Sequence, residues 1–282
     1  MGTYQSRQIC LATKHQKERV IARPLRWAVG ALVVAPPGLD TDALGTFTGE
    51  VPRSGTQRET CLTKARLGMA EAGVPLGIAN EGSFGPHPFL HFVPAGVEMM
   101  TFVDDERGFH ITETLLANDT NHGHRLARTI DDVMAVLASF RFPSHALIVR
   151  PNAGARTIIE KGITSSDHLA AAIRRAAHSS DDGNALVETD MRAYLNPTRM
   201  SSIRTLAFRL ARRLATNCPS CATPGFGRTA TIDGLECEQC GTATEMIKSE
   251  VLTCPLCPHQ EHRPRQDGRR FAPAERCPAC NP

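Results

Sequence analysis

Aromatic residues are scarce in this chain. One Trp, two Tyr and eleven Phe make up 5% of its 282 residues, so a core must rest on Ala, Val, Leu and Ile. No apolar run approaches the roughly 18–20 residues of a membrane span. Lysine is also rare, with only five among 32 basic residues, and 29 acidic residues leave a formal charge of +3. That balance is too even to argue for nucleic acid by itself. Residues 1–19 are polar and lack an apolar signal core, which leads to the expectation of a cytoplasmic protein. Cysteine is nearly absent from the first 217 residues, where Cys10 and Cys61 read as small buried apolar groups. A P-loop, a GxSxG elbow, an HExxH helix and a GxGxxG turn are all missing. A membrane protein, a secreted disulfide miniprotein and a wholly disordered chain are thereby excluded.

What the chain does have is eight cysteines in 63 residues, all in C-x-x-C pairs: Cys218/Cys221, Cys237/Cys240, Cys254/Cys257 and Cys277/Cys280. Two thiolates three residues apart can face one ion, and a second pair completes a tetrahedron. Pro inside three pairs and Gly241 after the fourth suit the tight turn around sulfur. Gaps of 15, 13 and 19 residues are near zinc spacing. The expectation is two structural four-cysteine Zn²⁺ sites in a small tandem zinc ribbon over 217–282. The simplest pairing joins successive pairs, with nested and crossed arrangements still open. Eight thiolates and two Zn²⁺ would bring the formal charge from +3 to about −1. Any nucleic-acid contact must then rest on the local loop of Arg263, Arg265, Arg269 and Arg270 beside Phe271. Such a loop can touch phosphate and stack a base, although a solvated loop explains it equally simply.

Residues 1–216 alternate strand-like and helix-like runs, the pattern of an α/β domain with a mixed, mainly parallel sheet and flanking helices. A sub-boundary falls near 117–128. Residues 14–27 read as a helix that Pro24 should end or kink. Thr56 and Glu59 form a capping box for a helix to Ala72, with Gly73 as its left-handed C-terminal residue. Pro75–Ala79 reads as a strand, 97–103 and 109–116 as a hairpin, and Thr129 as a helix cap. Residues 154–166 read as a loop. Asn196-Pro197 opens a long helix with an apolar stripe at Met200, Ile203, Leu206, Leu210 and Leu214.

Ligands in α/β folds gather at strand C-terminal ends. The segment Asn80–Pro88, read as a loop after an apolar strand, therefore offers Glu81 as base or metal ligand, and Ser83 and His87 for an anion. Lys14, His15 and Lys17 follow the first strand, and Asp40, Asp42, Thr46 and Thr48 follow the second. Arg192 and Arg199 could hold phosphate or carboxylate bidentately, with pairing to Asp190 as the structural alternative.

Five stretches, together with the cysteine knuckles, resemble an uncharacterised bacterial family of unknown function along nearly the whole chain. They are ATKHQKERVIARPL (12–25), PPGLDTDALGTFTGEVPR (36–53), NEGSFGPHP (80–88), VDDERG (103–108) and DMRAYLNPTRM (190–200). A second, weaker resemblance is to the inosine-triphosphate pyrophosphatase superfamily. Thr13, His15 and Lys17 are similar to its first phosphate turn, with His at the Asn position and Lys one residue early. Glu59, Lys64 and Ala65 are similar to its helix start, and Glu81-Gly82 to its acidic turn. That resemblance implies phosphate contact by Lys17, and a Mg²⁺-activated water served by Glu59 and Glu81. The expected function is a metal-assisted phosphate-ester or nucleotide hydrolase carrying a structural zinc ribbon. The alternative is a non-catalytic adaptor whose ribbon binds protein or nucleic acid.

Overall fold

A computed structural model describes residues 3–37, 39, 55–154 and 160–282. The candidate residues Asp40, Asp42, Thr46 and Thr48 lie outside them. The element order is β1 (Gln8–Ala12), α1 (Glu18–Val29), β2 (Leu32–Val34), α2 (Gln57–Ala72), β3 (Leu76–Pro86), β4 (Pro94–Asp104), β5 (Phe109–Ala117), β6 (His124–Ala127), α3 (Asp131–Leu137), β7 (Leu147–Pro151), β8 (Glu160–Ile163), α4 (Ser166–His178), β9 (Ala185–Thr189), α5 (Pro197–Leu214), β10 (Gly227–Asp233), β11 (Ile247–Thr253) and β12 (Gln260–Pro264).

The first sheet runs β2-β1-β3-β4-β5. β1 is parallel to both β2 and β3, while β3, β4 and β5 form an antiparallel meander. Alternation along the strands sends Ile9, Leu11, Ile78, Met100 and Phe102 to one face, beneath α1 and α5. It sends Ala12, Ala79 and Val103 to the other, beneath Cys61, Ala65 and Met69 of α2. Gly68 lets α2 sit close, since a Cβ there would lie 2.9 Å from Cys10 Sγ. The second sheet, β6-β9-β7-β8, is wholly antiparallel and packs its own core of Val149, Ile163, Val187, Leu169 and Ile173. An α/β fold with a mixed sheet is present, but the expectation of mainly parallel pairing is corrected. Parallel ladders need helical crossovers, and only the β1–α1–β2 and β2–α2–β3 passages supply them here.

Other local expectations hold or shift for identifiable reasons. Thr56 and Glu59 form the capping box, and Gly73 closes α2 at φ 62°. Asn196 caps α5 through Arg199 N, with Pro197 first in the helix. Helix α1 continues through Pro24 to Val29, because Pro24 and Leu25 are buried against the core and packing outweighs one lost backbone bond. Helix α3 starts after Ile130, and Asp132 accepts from Thr129 N, reversing the expected cap. Residues 160–163, expected as loop, form β8. No described helix is long and apolar enough to cross a membrane.

The largest correction concerns the segment after Ala79. It is not a loop: β3 pairs with β4 without a break from Leu76↔Asp104 to Pro86↔Pro94. The parallel partner β1 ends opposite Ala79, so beyond that point β3 carries its side chains into a crevice with one neighbour missing.

Candidate functional site: a buried ionic crevice and two four-cysteine clusters

The connections from β1 and to β3 lie on opposite faces of the sheet. α1 carries the chain from β1 to β2, and α2 returns it to β3 on the other side. The gap beyond β1 and β3 is therefore a topological switch point, where open α/β sheets bind ligands.

Strand alternation fills this gap with charge from two sides. Toward α2, Glu81 Oε1 meets Lys64 Nζ at 2.6 Å, both side chains only 8% exposed. Toward α5, the carboxylate of Glu98, fully buried, meets Arg199 Nε at 2.7 Å. Asn80 Nδ2 donates to the other Glu98 oxygen at 3.0 Å, and Arg199 also donates to Met191 O. Gly82 makes the approach feasible: a Cβ there would lie 2.6 Å from Arg199 Nη2 and 2.7 Å from Glu98 Oε1.

Lys17, at the start of α1, completes the group. Its Nζ donates to Asn80 O at 2.8 Å. Among the described residues it has no carboxylate within ion-pair distance. Burial, reinforced by the Arg199 charge, lowers its ammonium from 10.5 to about 8. Beside it the Asn80 Oδ1 atom is buried with no hydrogen-bond partner. Among the described residues, three cations and two carboxylates thus gather next to an unsatisfied acceptor, with Lys17 outside both ion pairs.

Of the expected site residues, Lys17, Glu81 and Arg199 converge here. Glu59 does not join them. It lies at the exposed start of α2, where its carboxylate accepts from Thr56 N and Oγ1, both at 2.9 Å. Those bonds hold its carboxyl below the ordinary value. His87 is buried and accepts from Phe89 N and Leu90 N through Nδ1, which shapes the β3–β4 turn. Ser83 and Lys14 are exposed. Arg192 forks onto buried Asp190 and lies over the Tyr194 ring, which stacks on His15. The Asp190 alternative therefore describes Arg192, and not Arg199.

Glu98 and Asn80 went unassigned in the sequence, and Lys64 entered only through a resemblance. The available signal was weak but real: Glu98 is a lone acid inside the apolar run Val97–Val103, and an acid in a buried strand needs a partner.

The cysteines form two clusters: Cys218, Cys221, Cys254 and Cys257, then Cys237, Cys240, Cys277 and Cys280. All sulfurs of a cluster lie within 4.8 Å of one another. A tetrahedral Zn²⁺ with bonds near 2.3 Å requires S···S separations of about 3.8 Å. The Cys218–Cys257, Cys221–Cys254, Cys237–Cys280 and Cys240–Cys277 contacts are 3.7, 3.6, 3.9 and 3.6 Å. These are far too long for disulfides and fit two Zn²⁺ ions.

The pairing interleaves first with third and second with fourth, which corrects the simplest expected order. Strands β10, β11 and β12 form one antiparallel sheet between the clusters, so the knuckles at either end of β11 are carried to different ions. Knuckles one and two repeat each other. Cys218 N and Cys237 N donate to Thr223 O and Thr242 O, and Ala222 and Gly241 both adopt positive φ. The hydroxyls of Thr223 and Thr242 lie 3.2 Å from Cys221 and Cys240 Sγ, and these threonine contacts pull both thiols down to about 6. The repeated C-x-x-C-Ala/Gly-Thr pattern was the unread signal for these threonines.

The expected arginine loop is partly strand, because β12 continues to Pro264. Arg263 pairs with Glu261, and Arg265 pairs with Asp267 and donates to Ile247 O.

Fold and site define the protein as an α/β protein with a charged switch-point crevice and a C-terminal lobe built on two zinc-type cysteine clusters. The chain belongs to the family described as a domain of unknown function (DUF6671), whose match covers residues 64–282. No curated protein and no solved structure matches it.

Proposed function

We propose that the switch-point crevice binds the phosphate group of a small phosphate ester or nucleotide, and that the protein hydrolyses it. The observation that carries this reading is Lys17, a buried ammonium whose described partner is one carbonyl, beside the unsatisfied Asn80 Oδ1. A buried charge with no carboxylate in direct contact is costly, even with Glu81 and Glu98 nearby. An incoming phosphate supplies a negative charge in direct contact, and a protonated or hydroxyl-bearing part of the same ligand can donate to Asn80. Lys17 then binds the anion, Arg199 and Lys64 hold Glu98 and Glu81 in place, and Glu81 is the base that takes a proton from water. The two cysteine clusters hold structural Zn²⁺ and take no part in the reaction. Glu81 and Glu98 are each already held by a cation, and among the described residues no carboxylate group gathers as a cation site. No step is therefore derived through Mg²⁺, which enters the assay as an added variable.

The test is thermal shift and turnover of the zinc-loaded protein with inorganic phosphate, pyrophosphate and nucleotides, with and without Mg²⁺. Lys17→Met should raise the ligand-free melting temperature, by on the order of 1–3 kcal/mol in stability, and abolish the ligand-induced shift. Glu81→Gln should keep binding and lose turnover. The cost of the charged Lys17 is fully present below pH 8 and is relieved as pH rises from about 8 towards 10.5. Ligand-free stability should therefore rise across that window while phosphate affinity falls. A Lys17→Met variant that is less stable, together with no shift from any phosphate compound, defeats the reading.

A second reading, an adaptor acting through the cysteine lobe, is supported by Phe271, 53% exposed beside Arg269 and Arg270. Under that reading, Arg269→Ala with Arg270→Ala removes partner binding and leaves the phosphate response intact.

A further inference from the structure

Helices α1 and α5 both begin at the crevice, with Lys17 as the cap residue of α1 and Arg199 in the first turn of α5, and pack side by side over one face of the first sheet. Their outer surfaces were not used by the crevice. On α1, Arg19, Arg23 and Trp27 follow one another at intervals of four residues, so they form one stripe about 12 Å long. On α5, Arg204 and Phe208 form a matching stripe. Together they line a groove of about 530 Å³, with Pro24 in its lining.

The composition of this groove is unusual for a surface. Trp27, the single tryptophan of the chain, is 82% exposed, and Phe208 is 40% exposed. Their rings meet edge to face, 6.4 Å apart at 78°, which leaves a broad indole face open to solvent. Arg19, Arg23 and Arg204 are exposed, and the groove lining contains no acidic residue. Among the described residues none of the three arginines has an ion pair, whereas Arg7, Arg107 and Arg213 around the same sheet are paired. An aromatic platform flanked by three guanidinium groups is complementary to a ligand with both a π-face and negative charge.

We propose that this groove binds single-stranded nucleic acid, with a base stacked on Trp27 and successive phosphates on Arg19, Arg23 and Arg204. Stacking on a tryptophan is tolerant of base identity, and arginines along the groove track the backbone. A duplex presents no free base face, so it lacks the stacking half of the interaction. The site is separate from the crevice and does not depend on the hydrolase reading.

The single tryptophan makes the experiment direct, because its fluorescence reports this groove alone. The zinc-loaded full chain is titrated with a short unstructured oligonucleotide, with the matching duplex, with anionic phospholipid vesicles and with a poly-glutamate peptide. The expected result is quenching by the single strand, with weaker binding to the duplex. Three phosphate contacts predict a log–log salt slope of about −2 for a single strand. By fluorescence polarisation of a labelled oligonucleotide, Trp27→Ala should weaken binding roughly tenfold or more, and Trp27→Phe should restore much of it. The Arg19→Ala, Arg23→Ala, Arg204→Ala triple variant should flatten the salt slope. All four positions are exposed, and unchanged melting temperatures check that the variants fold. Equal affinity for duplex and single strand, a blue-shifted signal with vesicles in place of quenching, or preference for the peptide overturns the proposal. So does single-strand binding that Trp27→Ala leaves unchanged.

Discussion

The crevice and the cysteine lobe solve opposite problems with buried polar groups. In the lobe, eight sulfurs are gathered into two sets whose geometry matches one ion each, and a Zn²⁺ in each would cancel half the charge of its four thiolates. In the crevice, five charged side chains gather around Asn80, and among the described residues Lys17 stands outside the two ion pairs. Each four-sulfur set of the lobe would fill the coordination of one Zn²⁺ with no position left open, the arrangement of a structural site. In the crevice, Lys17 has one carbonyl as its described partner, and under the proposed function that ammonium is what receives the ligand. The lesson is that a cluster of titratable groups is read by what remains after its internal pairs are counted.

The largest expected effect breaks the lobe. The first cluster closes a loop from Cys218 to Cys257, and the second closes one from Cys237 to Cys280, so each encloses a pair belonging to the other. Structural zinc contributes on the order of 10 kcal/mol to small metal-held folds. Cys254→Ser should therefore weaken both sites, because the remaining cluster must close its loop of about 40 residues unaided. Metal analysis should give about two Zn²⁺ per wild-type chain and clearly less than one in the variant. A variant retaining one ion at wild-type affinity would show the sites to be independent, as in a sequential pairing.

A smaller effect tests the crevice. Arg199→Met leaves the buried Glu98 carboxylate without its guanidinium, at a cost of about 3–5 kcal/mol. Combining it with Glu98→Met removes both charges and should recover most of the loss, measured by denaturant unfolding. If the double variant is no better than the single one, the pair does not act as a unit. The smallest effect separates the crevice from its resemblance. Glu59→Ala should lower the melting temperature slightly through the lost capping box and leave the phosphate response unchanged. A loss of turnover at wild-type stability would instead return Glu59 to the reacting group.

Much of the local structure was legible because its causes are local. Thr56 with Glu59, Gly73, and Asn196 with Pro197 act within one helical turn, and all three form as the sequence predicts. Pro24 misled because its penalty is local while its compensation, burial against the sheet, is not. Residues 80–86 misled for a related reason. Their glycines and polar residues resemble a loop, and only a full-length partner strand, β4, keeps them extended. The convergence of Lys17 and Glu81 was anticipated from strand ends, whereas Glu98 showed only as a lone acid in an apolar run until the register placed it opposite Gly82.

The sequence alone therefore determined the metal chemistry, since ligands three residues apart share a turn whatever the rest of the chain does. It also determined both ends of α2 and the start of α5, through residues that reach only their neighbours. Tertiary structure decided which knuckles share an ion, because sulfurs about 40 residues apart meet only after β10, β11 and β12 have paired. It likewise decided the crevice. Glu98 and Arg199 are 101 residues apart, and Lys17 and Asn80 are 63 apart. Strand alternation and helix packing bring them together, and no spacing in the chain encodes their meeting.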